Sequence, residues 1–473
     1  MQNIQSTQHD QEMVYDIVII GAGVVGCAMA RRFSIEGASV LIIEKAADIL
    51  DGASKANSAI LHTGFDAPNG SLELSCIKAG YQEYQEIHEQ LQLPIMKTGA
   101  IVVAWNAVEE ARLGRLMDHA RTNGIEDIEL LTAKQITEKE PHLSRSARGG
   151  FHVPREYVID PWTSPYAYLM QAIENGARVL RNAEIKSGAF DGTHWRLHTP
   201  HDTIRCRTTI NCAGLYGDHV DTTLNGKSSF EIRPRKGQFL VYDKAANALI
   251  SSIILPVPSE TTKGIVVCRT IFGNLLVGPT AEEQESRNDA SVQKGMLNFL
   301  REKAEQMIPE LSNQTITATY AGIRPATKSK DYQIQHDVDR HYISVGGIRS
   351  TGLSAALGIA SYVYDKYSNA GYKHNVPEPL NWPTVQPIAE TEPRDWSKPD
   401  NGGVICHCEL VTRREVQQAL EGPLAANSIG GLKRRTRVTM GRCQGFYCSA
   451  QLSEMTAGKF DQPLGIGATA DDK

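Results

Sequence analysis

The chain has 473 residues, 41% hydrophobic and 22% charged, the composition of a soluble globular protein long enough for about three ordinary domains, or two with a small appendage. Its net charge of −5 gives no global attraction to nucleic acid or to an anionic membrane, so no nucleic-acid partner is expected. No stretch approaches the roughly 18 apolar residues of a membrane span, and polar residues 1–13 lack the apolar core of a signal peptide. A cytoplasmic protein is expected, with any membrane contact peripheral and at the inner face.

After a disordered start over 1–13, Tyr15–Ile20 is an apolar run of the kind buried in a parallel sheet. Gly21-Ala22-Gly23-Val24-Val25-Gly26 follows, a helical pattern runs to Gly37, and a second strand, Ser39–Ile43, ends at Glu44. That is one βαβ unit. Helical stretches at Tyr81–Leu91 and Ala107–Thr122 flank a strand at Ala100–Ala104. From Gly150 to Phe272 strand-like runs dominate, including Thr208–Asn211, Gln238–Tyr242 and Gly264–Val267, with a helix at Pro165–Asn175. Tyr342–Val345 and the helix Ser354–Tyr367 complete the dinucleotide fold late in the chain.

The reading is an α/β protein: a Rossmann-like dinucleotide domain over 14–80, 150–230 and 320–372, with an inserted mixed-sheet substrate domain over 81–149 and 231–319. Prolines 377, 379, 383, 387, 393 and 399 block helix and sheet alike, so 373–401 reads as an extended linker. A small helical cysteine module occupies 402–458, and 459–473 reads as a disordered tail.

In the strand–turn–helix context Gly21 makes the tight turn, Gly23 admits a pyrophosphate and Gly26 permits close helix packing. The helix N-terminus offers its unpaired N–H groups to the phosphate charge. Glu44, 21 positions after Gly23, suits the hydroxyls of an unphosphorylated ribose. The motif does not distinguish FAD from NAD. Among nine cysteines, Cys27, Cys76, Cys206, Cys212 and Cys268 lie in apolar contexts and read as buried small residues. Cys406, Cys408, Cys443 and Cys448 have ligand spacing, which suits an iron–sulfur cluster or a structural zinc. Lys433, Arg434, Arg435, Arg437 and Arg442 are close in sequence and are expected to hold thiolate pKa values down.

Several segments together resemble the FAD-dependent family that includes D-amino-acid oxidase and glycerol-3-phosphate dehydrogenase. They are Gly21–Gly26, Glu44, Ser54-x-x-Asn57-Ser58, Asp160-Pro161, Asn211-Cys212-Ala213-Gly214 and Gly346–Ser354. The resemblance spans about residues 14–372 and implies FAD in an extended pose. It assigns FAD contacts to Gly21, Gly23, Val24, Val25, Gly26, Glu44, Lys45, Ser54, Asn57, Ser58, Ala213 and Gly214. Gly347, Gly352, Leu353 and Ser354 would line the flavin ring.

Asn57-Ser58-x-x-x-His62-x-Gly64 is similar to the stretch in short glycerol-3-phosphate oxidases and L-2-hydroxyglutarate oxidases whose His faces the flavin. Alcohol oxidation needs a base near neutral pKa, and His62 is the candidate. Tyr320-Ala321-Gly322-Ile323-Arg324-Pro325 resembles the run that grips the substrate phosphate, a task suited to the guanidinium fork of Arg324. Lys263 is a second anchor and Ser350 joins the catalytic set.

Two departures separate this chain from the long glycerol-3-phosphate dehydrogenases. Lys236-Gly237-Gln238-Phe239 replaces Lys-Gly-Ser-His, and Gly346-Gly347-Ile348 replaces Gly-Gly-Lys. The short oxidases fit better.

Residues 404–448 resemble the bacterioferritin-associated-ferredoxin-like [2Fe–2S] domain and the tail of the large subunit of anaerobic glycerol-3-phosphate dehydrogenase. Together the resemblances imply an FAD-dependent dehydrogenase. Its substrate would be a small anion, glycerol 3-phosphate or a related polyol phosphate or 2-hydroxy acid. Electrons would pass through a [2Fe–2S] cluster to a protein or quinone acceptor. The other readings are a flavin amine or imino-acid dehydrogenase and a non-catalytic redox sensor.

Overall fold

The computed structural model describes residues 13–258 and 264–464. The expectations for residues 1–12, for Lys263 and for 465–473 lie outside the described residues.

The first lobe is built on an eight-stranded sheet whose centre is Val14–Ile20, paired in parallel with Val40–Ile43 on one side and Thr203–Asn211 on the other. Alternate side chains of the central strand enter opposite cores. Ile17 and Ile19 face the helices Val24–Ile35, Thr163–Glu174 and Gly352–Asn369, while Val18 and Ile20 pack with Trp195 and Leu197. Because both faces are covered, the strand runs apolar from Ile17 to Ile20 rather than alternating. The late strand Tyr342–Gly346 closes beside Thr203–Asn211, in register from Thr209 to Asn211.

A nine-stranded sheet forms the second lobe, with Arg233–Tyr242 paired antiparallel along most of its length with Ile316–Ala326. Ala100–Ala104 and Gly149–Val153 also belong to it. The seams drawn from sequence at 150 and 320 therefore cut into two strands of this second sheet. Gly149–Val153 is buried almost throughout and Ile316–Ala326 is partly exposed at one end and mostly buried at the other, so neither has a periodic pattern that assigns it to a lobe. No helix of the described residues is long and apolar enough to cross a membrane.

Residues 373–401 are extended but not a free spacer. Val385, Ile388 and Ala389 are buried against the two lobes, and Asn381 exchanges hydrogen bonds with Asn175 and Glu174. Proline denies the segment its own ladder without preventing burial of the apolar residues between. The cysteine module follows: a short hairpin, Val404–Cys406 with Val411–Thr412, and the helices Arg413–Ala419, Ile429–Thr436 and Ser449–Thr456. Thr412 and Glu415 form a reciprocal capping box at the first of these. Phe460 and Leu464 pack on the module's core, so the start of the expected disordered tail is held.

The module is docked on the first lobe through a buried carboxylate. Asp48, 2% exposed, accepts from the Asn427 N–H at 2.9 Å, the Ser428 hydroxyl at 3.1 Å and Arg435 at 2.6 Å. Arg434 donates to the Ile49 carbonyl at 2.9 Å. Gly431 leaves room for this contact, since a Cβ there would lie 1.8 Å from Asp48 Oδ2. Removing one partner of a buried pair leaves the other charge uncompensated, at about 3–5 kcal/mol. Asp48→Ala is therefore expected to lower stability by that order, read as a fall in the denaturation midpoint with early exposure of the module to proteolysis.

Candidate functional site

The chain turn after the central strand is shaped by steric necessity. Gly21 has φ +103°, and a Cβ there would lie 2.7 Å from the Cys212 carbonyl oxygen. A Cβ on Gly26 would lie 1.9 Å from the Gly21 carbonyl oxygen, so the helix Val24–Ile35 packs on the turn only with glycine at this position. Gly23 stands at its N-cap and supplies no side-chain hydrogen bond. Ser54 Oγ accepts from the Val24 N–H at 2.9 Å. A helix start whose own N-cap residue has no side chain, with Ser54 meeting only the Val24 N–H, fits a pyrophosphate cradle.

Glu44 is half-buried and both its oxygens are engaged, Oε2 by the Ala22 N–H at 2.8 Å and Oε1 by the Ala46 N–H at 2.9 Å. Burial raises its pKa, while those two N–H groups oppose the rise. Each carboxylate oxygen keeps a second lone pair for a ribose hydroxyl.

From this turn a cavity of about 1000 Å³ runs between the lobes. Gly21, Gly23, Val24, Val25, Glu44 and Lys45 line it at one end, with Ala213 and Gly214. Ser54, Asn57 and Ser58 line it, as do His62, Arg324, Ser350, Gly352 and Leu353. Gly26, Gly347 and Ser354 are not on this wall. Ser354 works from behind it: its hydroxyl accepts from the His62 N–H at 2.9 Å and donates to the Ile60 carbonyl at 3.1 Å. Gly347, at φ +72°, turns the chain beside Gln333 and Thr327.

His62 follows the short strand Ile60–Leu61, which pairs antiparallel with Tyr157–Ile159, Leu61 opposite Tyr157. That register brings in Glu156, a fully buried residue absent from the sequence-derived set. Its Oε2 lies 2.8 Å from His62 Nδ1, and its Oε1 accepts from the Thr63 N–H at 2.6 Å and the Thr63 hydroxyl at 2.7 Å. No local spacing links residues 62 and 156, so only strand pairing reveals the contact.

Arg324 reaches the cavity from the strand Ile316–Ala326 and donates to the Thr280 carbonyl at 2.6 Å. Burial, then the neighbouring Arg235, push its pKa down to about 10, which leaves it cationic at neutral pH. Arg235 and Arg349 also line the cavity; Glu283 lies 3.2 Å from the first and Glu73 3.1 Å from the second. Gln238, at the position of one family departure, is committed to structure: it donates to Glu282 at 2.9 Å and accepts from the Gln293 N–H at 2.7 Å.

In the module the four thiols lie together, Cys406 beside Cys448 and Cys408 beside Cys443, with Cys408 also near Cys406 and Cys448 near Cys443. Cys406 and Cys448 are buried in its core, Cys408 and Cys443 half-buried. Among the described residues no three His, Cys, Asp or Glu side chains converge on a single point. Four thiolates so placed fit a binuclear centre, in which each metal takes two sulfurs.

The basic residues do not surround the thiols as sequence proximity suggested. Arg434 and Arg435 face the 48–51 loop, and Arg437 bonds Glu409 at 2.9 Å and lies 4.1 Å above the Phe272 ring. Arg442 pairs with Asp243 at 3.0 Å. The Cys443 thiol is instead lowered chiefly by the Tyr447 N–H, joined by Cys408 and the N–H groups of Gly445 and Phe446. Burial pushes Cys448 up to about 11 and Cys76, Cys206, Cys212 and Cys268 up to about 12, as expected of thiols in apolar cores.

Residues 16–366 match the family described as FAD dependent oxidoreductase, and residues 404–457 match the BFD-like [2Fe-2S] binding domain. A glycerol 3-phosphate dehydrogenase of Caloramator mitchellensis is 33% identical over 97% of this chain and 96% of its own. An anaerobic glycerol-3-phosphate dehydrogenase polypeptide of Escherichia coli K12 is 24% identical over 92% of this chain and 86% of its own. The structure of dithionite-reduced L-alpha-glycerophosphate oxidase from Mycoplasma pneumoniae with FAD bound superposes with a TM-score of 0.73 at 26% identity. It covers 79% of this chain and 99% of that one.

The cradle gives a direct prediction. Gly26→Val is expected to abolish stoichiometric flavin retention, because its Cβ overlaps the turn carbonyl, and the purified protein should lose its yellow absorbance while Gly114→Ala, in open space on the helix Leu113–Thr122, retains it.

Proposed function

The chain belongs to the FAD-dependent oxidoreductase family, and on that premise we propose that it oxidises glycerol 3-phosphate or a closely related polyol phosphate or 2-hydroxy acid. One observation carries the reading: an oriented imidazole, His62, and a half-buried cationic fork, Arg324, open on the same cavity as the dinucleotide turn. The relatives named for glycerol 3-phosphate support that substrate class. Bound FAD would supply the two-electron acceptor for the substrate's hydride, and the cluster a one-electron outlet.

The chain's own residues supply the rest. Arg324 would hold the anionic group of the substrate, with Lys263 and Ser350 as further contacts, and the planar fork would fix its orientation. His62 would take the hydroxyl proton as the C–H bond breaks. Gly21, Gly23, Val24, Val25, Glu44 and Ser54 would hold FAD, and Cys406, Cys408, Cys443 and Cys448 a [2Fe–2S] cluster rather than zinc. Electrons would then leave to an acceptor protein or quinone.

Anaerobic addition of sn-glycerol 3-phosphate is expected to bleach the flavin band. Bleaching by an amine or imino acid, with none by the phosphate or a 2-hydroxy acid, overturns the reading. His62→Gln should slow bleaching about 10²- to 10⁴-fold. Arg324→Leu should chiefly raise the substrate concentration needed, by about tenfold or more. The docked interface makes truncation at residue 400 a poor test of the module's role, since it strips the donors from Asp48. Cys443→Ser should preserve substrate-driven bleaching while abolishing transfer to a one-electron acceptor.

A further inference from the structure

We propose that Glu156 is the positioning residue that makes His62 a base, fixing which ring nitrogen carries the proton and raising the proton affinity of the other. The inference rests on the reading of His62 as the proton acceptor, and concerns a residue that does not itself line the cavity.

The geometry constrains the pair at every point. Both oxygens of Glu156 act as acceptors, one toward His62 Nδ1 and one toward the two Thr63 donors. An acceptor-only carboxylate against Nδ1 requires the proton on Nδ1. The lone pair is thereby placed on Nε2. Ser354 fixes the His62 main chain through its N–H, and the Ile60–Leu61 pairing with Tyr157–Ile159 fixes Glu156 opposite. Neither partner has a backbone route to relax.

When a substrate hydroxyl gives its proton to Nε2, the O–H bond breaks, the Nε2–H bond forms, and the Nδ1–H bond to Glu156 is retained. A neutral imidazole becomes an imidazolium beside a buried anion. The resulting pair is charge-balanced in a low-dielectric setting, which stabilises the protonated state and strengthens the base. Such an orienting carboxylate is a recurrent device for histidine bases and ligands.

Other charged groups open on the cavity. Glu73, on the helix Leu72–Ile87, is paired with Arg349; Asp66 and His119 line the wall, and the His119 ring lies 2.7 Å from the Ala67 carbonyl; Arg235 and Arg324 come from the second sheet. All remain unchanged when only Glu156 is replaced, so a difference between variants isolates the 156 carboxylate.

The experiment compares wild type with Glu156→Gln and Glu156→Asp as FAD-loaded full chains, following anaerobic flavin bleaching by sn-glycerol 3-phosphate across pH. A base works only when unprotonated, so the rate falls on the acid side through the pKa of His62. Removing the neighbouring anion lowers that pKa, and the acid limb for Glu156→Gln is expected to move to lower pH by about one unit or more. Its limiting rate should fall about 100-fold or more, since the amide can donate to Nδ1 and favour the wrong tautomer, with little change in the substrate concentration required. Glu156→Asp, which keeps the charge, should leave the limb near its wild-type position. An unmoved limb with a Glu156→Gln rate within about threefold of wild type overturns the proposal.

A second measurement needs neither turnover nor a stable variant at position 156. Nitrogen-15 spectra of histidine-labelled wild type, with His62 assigned by its loss in His62→Gln, should show the Nδ1–H form at neutral and mildly alkaline pH. The Nε2–H form overturns the proposal. If wild type fails to bleach with any hydroxylated substrate, the functional reading falls, while the tautomer still decides the dyad.

Discussion

The arrangement of the molecule depends on how one buried negative charge is satisfied. Asp48 sits behind the second strand of the dinucleotide sheet, and in that low-dielectric position it is stable only with donors around it. Its close donors, Asn427, Ser428 and Arg435, all come from the cysteine module, with Arg181 at 3.7 Å from the first lobe. The two ends of the chain are thus held together by charge compensation. The same loop frames the phosphate end of the cavity: the Leu50 N–H donates to the Ala22 carbonyl inside the glycine turn, and Ser54 caps Val24. The loop that shapes the dinucleotide cradle is therefore the loop that the module grips.

That constraint changes the meaning of the basic segment Lys433–Arg437. In sequence these residues neighbour the thiols and suggest electrostatic tuning. In space Arg434 and Arg435 turn toward the first lobe, and Arg437 is sandwiched between Glu409 and the Phe272 ring. The long side chains explain the difference: Arg434 and Arg435, though consecutive on Ile429–Thr436, both reach the acceptors of the 48–51 loop, and Arg437 sits past the helix end at φ +68°. Thiolate stabilisation at Cys443 falls to the turn Gly445–Tyr447, whose N–H groups converge on it.

The dinucleotide turn was legible because its physics is local: strand, glycines and helix are contiguous, and each glycine's role follows from its own neighbours. Arg324, His62 and the cysteine set were legible as residue types in recognisable local runs, and the structure brings the first two to one cavity and the thiols together. Glu156, the Asp48 dock and the buried strap around Val385 and Ile388 were not. Each joins positions that the chain separates widely, through a strand register or an interface that no periodicity encodes. Gly347 and Ser354 show the complementary limit. A motif places residues in a segment without saying which of them face the cavity and which support it from behind.

The stretch Glu156–Trp162 shows how the two halves of the chemistry are mechanically related. At one end Glu156 holds the His62 ring. At the other the Trp162 indole donates to the Lys55 carbonyl at 3.1 Å, on the cavity wall, and stacks on Phe272 with centroids 5.2 Å apart. Phe272 in turn lies beneath Arg437 of the module. Asp160 ties the stretch down, fully buried and accepting from the Trp162 and Thr163 N–H groups, each at 2.9 Å. Close-packed interiors transmit displacement rather than absorb it. The module and the strand that carries the imidazole therefore share one contiguous packed stretch, and a module docked on a buried charge keeps that stretch intact where one swinging on its proline-rich connector would not.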